Sequence, residues 1–305
     1  MQLPEPAPLR LNGAAGRVLR IADADARFGR SAVAAALRVG RWQQPHPRVV
    51  VLHNGPLSRA EFCVAAVAAA APGAAVAGPT ALEVWGLPGF GEETVHVALR
   101  QGQRRPTLAG ARYLLSSRLD SDDVHGVRRP PITRPARSVL DTASLAKSPR
   151  WARAVVLAAV QRRLVTPRAL DEALDRRGPC RHHGHLVETI VDAKGGVQSL
   201  PEQDFDRIVR FRGLPSPERQ QRVRGRDGHY YLDAGWDRFR VGAEIHGAHH
   251  ADALQWEDDL TRANDIALGG RRVVQLTSWS VRHEPYRVAD LLEALLRSAG
   301  WNRGS

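Results

Sequence analysis

A chain of 305 residues gives a prior of about two domains, each large enough to bury a core unaided. Its two cysteines, Cys63 and Cys180, lie far apart, which excludes a disulfide framework and predicts reduced thiols acting as small core residues of a cytoplasmic protein. The most apolar stretch, 62–77, is mostly alanine and is broken by Pro72 and Gly73, short of the roughly 20 apolar residues of a membrane helix. Glu5 and three prolines stand where a secretory leader would have a basic end and an apolar run, so neither a membrane partner nor export is expected.

Lysine and arginine together number 44 against 32 acidic residues, a formal net charge of +12. Residues 1–198 hold 28 basic and 16 acidic side chains, whereas 199–305 hold 16 of each, so the whole excess lies in the first two thirds. Lys147 and Lys194 are the only lysines, and an excess made of arginine suits phosphate contacts through the bidentate guanidinium fork. DNA is the expected partner; the competing reading is a solvated basic surface on an Ala- and Arg-rich chain.

Three regions follow in chain order, 1–55, 56–198 and 199–305. In the first, Ser31 is a plausible N-cap, 32–39 a helix, Gly40 its C-cap and 48–53 an extended run, the order of a winged helix-turn-helix. Arg27, Arg30, Arg38 and Arg41 are its candidate DNA contacts. Ala34, Ala35 and Ala36 in the recognition position offer only methyl groups, so base-specific readout is not expected there. Residues 56–198 read as α+β, with helices at 59–71, 80–85, 135–146 and 151–162 and one opened by Pro167, and an alternating strand at 94–99. The Gly-, Arg- and His-rich stretch 178–196 reads as a linker.

The last third is predicted as a small α/β sheet flanked by helices: a helix at 199–212, strands at 220–224, 229–236, 239–246 and 272–277, and helices at 254–268 and 287–296. A two-residue turn at Asp237 and Arg238 would set Asp233 opposite Gly242, with Glu244 as its diagonal neighbour on one face and His246 following by alternation. Diagonal Cα separations of about 7–8 Å let two carboxylates share one cation. Ser199 and Glu202 have capping-box spacing, yet Glu202 is also in register with Phe205, Asp206 and Val209, so it is read both as a cap and as a site carboxylate. Oxygen ligands for a hard cation, with a group able to move a proton, are what phosphodiester hydrolysis with Mg²⁺ or Mn²⁺ requires.

The residues Leu232, Asp233, Ala234, Gly235 and Trp236, then Val241, Gly242, Ala243, Glu244, Ile245, His246, Gly247, Ala248, His249 and His250, then Asp259, Arg262, Asn264 and Asp265, resemble the Vsr-like branch of the PD-(D/E)xK nuclease superfamily. The resemblance spans about residues 199–297 and implies a restriction-endonuclease-like α/β domain, with Asp233 and Glu244 as metal ligands and Glu202 as the helix carboxylate. The superfamily's lysine two positions after the glutamate is absent; His246 stands there, and His249 follows it. These histidines would move protons near neutral pH, or His246 would only hydrogen-bond within the sheet.

Upstream, Ser31, Ala32 and Val33, then Gly40, Arg41 and Trp42, the run from Thr80 to Gly89, and the run Thr133, Arg134, Pro135, Ala136, Arg137, Ser138, Val139, Leu140 and Asp141 resemble the AbiEi antitoxins of abortive-infection systems. That resemblance implies a regulatory role and a cognate toxin as partner, with Trp85 and Leu87 in a core. The leading expectation is a DNA-binding, metal-dependent endonuclease. The alternative is a non-catalytic regulator or antitoxin that keeps the nuclease fold as a binding surface. Cys180, His182, His183 and His185 match no common zinc spacing, and neither a phosphate loop, a dinucleotide fingerprint nor a serine elbow is present.

Overall fold

A computed structural model describes residues 7–194, 202–224, 229–246, 266 and 268–302. It is mixed α/β, with three small open sheets among the described residues. The chain divides into two compact units, Met1–Ile190 and Val191–Ser305. No described helix is long and apolar enough to cross a membrane.

The first unit begins with β1 (Val18–Arg20), α1 (Ile21–Phe28), α2 (Arg30–Arg38), β2 (Gln43–His46) and β3 (Val49–Val51). β3 lies between β1 and β2, antiparallel to both. Ala24, Val33 and Val50 bury a small core with Leu37 and Trp42 packed against it. Gly29, with φ of 84°, supplies the corner between the two helices; it caps α2 in place of the expected Ser31, with no side-chain hydrogen bond.

Next come α3 (Arg59–Ala69), β4 (Ala75–Val76), α4 (Gly78–Trp85), β5 (Val95–Arg100) and β6 (Ala111–Ser116), then α5 (Pro135–Leu145), α6 (Pro149–Gln161), α7 (Pro167–Arg177) and α8 (His183–Ala193). Ser58 and Glu61 form a capping box at the start of α3. Proline occupies the first turn of α4 to α7, where a missing N–H costs nothing. β5 lies between β4 and β6, so β6 is an edge strand. Cys63 is buried in this sheet's core and burial pushes its thiol up to about 12, in keeping with an inert core residue. The expected linker at 178–196 is corrected: most of it is α8, because Leu186 and Ile190, four residues apart, bury fully against α5–α7. Leu87 is buried, while Trp85 is half-buried with its indole N–H donating to the Thr133 carbonyl.

The second unit holds α9 (Glu202–Arg212), β7 (Glu218–Arg224), β8 (His229–Trp236), β9 (Val241–His246), β10 (Arg272–Thr277), α10 (Ser278–His283) and α11 (Pro285–Ser298). The sheet runs in sequence order; β8 is antiparallel to β7 and β9, and β10 is parallel to β9. Phe205, Ala234, Trp236, Val241, Ala243 and Leu292 join α9 and α11 to one face in a common core. On the other face Val223, Leu232 and Ile266 pack together. The expected helix at 254–268 lies almost wholly outside the described residues.

Candidate functional site

The carboxylate pair is built by one turn. Asp237–Phe239 form a 3₁₀ turn and Arg240 follows in the left-handed region at φ 51°, so four residues, not two, link β8 to β9. Arg271 locks this turn by donating to Asp237 at 2.5 Å and to Gln221 at 2.9 Å. The longer turn moves the register two residues: Gly235, not Asp233, faces Gly242, and Ala234 faces Ala243. The expected diagonal arrangement is thereby corrected: the ladder ends at Ala234 and Ala243, and Asp233 and Glu244 are the residues that follow it on the two neighbouring strands. A shift of two preserves alternation along β9, which keeps Glu244 and His246 on one face.

Beyond Ala234 and Ala243 a side chain takes over from the backbone ladder. The Ile245 amide donates to Asp233 Oδ2 at 2.7 Å, and Gln220 Nε2 donates to Asp233 Oδ1 at 3.3 Å. Gln220 has a φ of 48°, and the faces of β8 change phase beside it: Leu232 packs on one side of the sheet and Ala234 on the other. Asp233 sits at that kink. Glycine at 242 is required by close approach, since a Cβ there would lie 2.5 Å from Leu232 Cδ1 and 3.1 Å from the Ala234 carbonyl.

Glu244 is buried at 7% exposure, with Gln275 of β10 as its parallel partner. It lines a pocket of about 420 Å³ whose wall also carries Arg271 and Arg272. His246 Nε2 lies 3.7 Å from Glu244 Oε2. Asp233, Glu244 and His246 do not bring three ligand atoms within 4.8 Å of one another. Glu202 opens α9, but its side chain, like all of His249, lies outside the described residues.

Of the candidate nucleic-acid contacts, Arg27, Arg30 and Arg38 lie on the first helix pair and Arg41 in the turn that follows it. Arg27, Arg30, Arg38 and Arg41 are all exposed, as is Arg48 just before β3. Arg27 stacks over the Phe28 ring at 4.9 Å, and Arg30 is 3.7 Å from Asp25 while remaining 91% exposed. Val33 and Ala36 face the core, which leaves Arg30, Ala34 and Arg38 on the outer side of α2. Arg137 and Asp141 belong to the run 133–141, but residue patterns did not reveal the rest of their cluster, because Asp123, Arg176 and Arg177 are up to 54 residues apart and meet them only in the fold. No family model matches the chain, and no curated protein is similar to it.

Proposed function

We propose that the chain is a DNA-binding protein whose first module is a winged helix-turn-helix and whose second unit is a metal-dependent endonuclease-type domain. For the first part, the order strand, helix, helix and two-stranded ribbon, with β3 central, supports α2 as the recognition helix and β2–β3 as the wing. Exposed arginines on both helices and beside the ribbon supply phosphate contacts, and alanines on the outer face of α2 favour binding with little sequence preference.

The observation that carries the second part is Glu244, buried on the wall of a pocket shared with Arg271 and Arg272, on the strand next to that of Asp233 and 3.7 Å from His246. Two carboxylates on neighbouring strands suit a hard divalent cation, and Asp233 and Glu244 would hold Mg²⁺ or Mn²⁺. When bound, the ion would supply charge stabilisation at the scissile phosphate. Arg271 and Arg272 orient the phosphate, and the amide of Ile245 fixes the Asp233 carboxylate. His246 moves a proton. Glu202 and His249 complete the set by resemblance.

The test is nicking of supercoiled plasmid by purified protein with Mg²⁺ or Mn²⁺, against Asp233→Asn and Glu244→Gln. Cleavage that needs the metal and is lost in both variants is the expected result. Cleavage that is absent from the wild type, or survives in both variants, overturns the nuclease reading. One observation favours the regulator alternative: both Asp233 oxygens already accept protein hydrogen bonds, so a metal would have to share them. Under that alternative a cognate toxin is the partner, and DNA binding persists without cleavage.

A further inference from the structure

The first unit contains a second concave site, independent of the carboxylate pair. A pocket of about 650 Å³ lies between the edge strand β6, the side of α5 and the segment after α7. Five arginines line it (Arg105, Arg112, Arg137, Arg177 and Arg181), with Asp141 as the one lining carboxylate. We infer that this pocket binds a phosphorylated ligand of nucleotide size, with its arginines holding the phosphate groups.

Structural pairing accounts for only part of the arginine set. Arg137, 1% exposed, donates to both oxygens of Asp141 at 3.1 Å, to Asp123 at 2.5 Å and to the Arg118 carbonyl at 2.7 Å. Arg177 shares Asp141 at 2.9 Å. One carboxylate is thus divided between two guanidinium groups, and Asp123, fully buried, does not line the pocket. Arg105 and Arg112 are exposed and form no ion pair among the described residues, and Arg181 donates to the Lys147 carbonyl. The wall therefore carries an uncompensated excess of positive charge. Concave walls of low dielectric focus such a field on the space they enclose.

Phosphate is a better match than a single carboxylate. With Arg137 and Arg177 matched by Asp123 and Asp141, the three charges of Arg105, Arg112 and Arg181 remain, which suits a diphosphate, and planar guanidinium forks bind phosphate oxygens in pairs. Arg177 is already ordered by Asp141, so a ligand loses little free energy in fixing it. Ser116 holds Arg137 Nη2 at 2.8 Å, which orients that group at the pocket wall. Among the described residues β6 has no strand on its outer side, and its residues Ala111 to Ser116 line the pocket. Pro106, Leu145 and Pro179 give apolar surface for the remainder of the molecule. The volume falls in the range of roughly 300–1,000 Å³ typical of small-molecule sites.

A free nucleotide and the phosphorylated end of a nucleic-acid strand offer the same chemistry, and calorimetric titration of the full chain separates them. The probes are ADP, inorganic pyrophosphate, a 5′-phosphorylated trinucleotide and, at matched ionic strength, sulfate. Saturable 1:1 binding of ADP or of the trinucleotide is expected, and whichever binds tighter identifies the source. Arg105→Ser with Arg112→Ser should weaken that binding at least about tenfold. Both side chains are exposed, so the fold should survive, and an unchanged melting temperature checks this. Arg104→Ser with Arg150→Ser removes the same charge from exposed positions outside the pocket and should leave binding within about twofold. Absence of binding by all phosphate probes, sulfate binding as tight as ADP, or equal weakening by the two double variants overturns the inference.

Discussion

Arg137 is the side chain on which the first unit's helices converge. Its guanidinium joins Asp123 in the loop after β6 to Asp141 on its own helix, while Arg176 and Arg177 from α7 approach the same two carboxylates. Such a pair is weak evidence of net stability, because desolvating both charges offsets most of their attraction, but removing one member strands the others. Arg137→Ala leaves the fully buried Asp123 without its closest cation, and the expected loss is about 3–5 kcal/mol in the unfolding free energy of this unit. Denaturant titration followed by tryptophan fluorescence measures it. A loss below about 1 kcal/mol would mean that Arg176 takes over both carboxylates. Along the chain Arg137 and Asp141 stand out only as members of the run 133–141, while Asp123, Arg176 and Arg177 join them through the fold.

At the scale of elements, α3 shows how a cap becomes a pH sensor. The Glu61 carboxylate accepts from the Ser58 amide at 2.9 Å and the Ser58 hydroxyl at 2.8 Å, and His53 and Arg17 lie at 3.2 and 3.8 Å. The Ser58 amide bond, then its hydroxyl and His53, hold the carboxyl below its usual range against the opposing effect of burial. A folded-state value below the unfolded one stabilises the fold above the unfolded value of about 4.3, and that stability is lost as pH falls through the folded one. Glu61→Gln should therefore flatten the acid limb of the stability curve below about pH 5, while Ser58→Ala should cost about 0.5–2 kcal/mol at neutral pH. Melting temperatures between pH 3 and 7 report both. Periodicity and capping signals gave the helices from α3 to α7 to within a few residues, and β10 at its observed bounds. The elements they missed are short or edge strands such as β2 and β6, and α8, whose histidines and glycines mask a two-residue apolar contact. The candidate site was legible as residues but not as geometry: Asp233, Glu244 and His246 were proposed from the sequence, whereas their register depended on Arg240 adopting a left-handed φ that its residue type does not announce.

For the whole molecule, the charge asymmetry is the property with the longest reach. The excess of +12 belongs to residues 1–198, and the topology of the first 51 residues gathers Arg27, Arg30, Arg38 and Arg41 on exposed surface beside a three-stranded sheet. Each phosphate neutralised by such a side chain releases condensed counterions, so the logarithm of affinity for duplex DNA should fall with the logarithm of salt at about −0.9 per contact. Replacing the four arginines by serine removes at most four contacts. The slope should shrink by up to about 3.6 while the remaining slope stays measurable, because Arg48 and other exposed arginines of this unit still contribute. Affinity should drop by a similar factor on unrelated duplex sequences, since alanines at 34–36 give no donor or acceptor code to lose. Fluorescence anisotropy between 50 and 200 mM salt distinguishes the outcomes. A slope unchanged by the four substitutions would move the DNA-binding surface off the first helix pair, and a loss confined to one sequence would show base readout that these side chains do not account for.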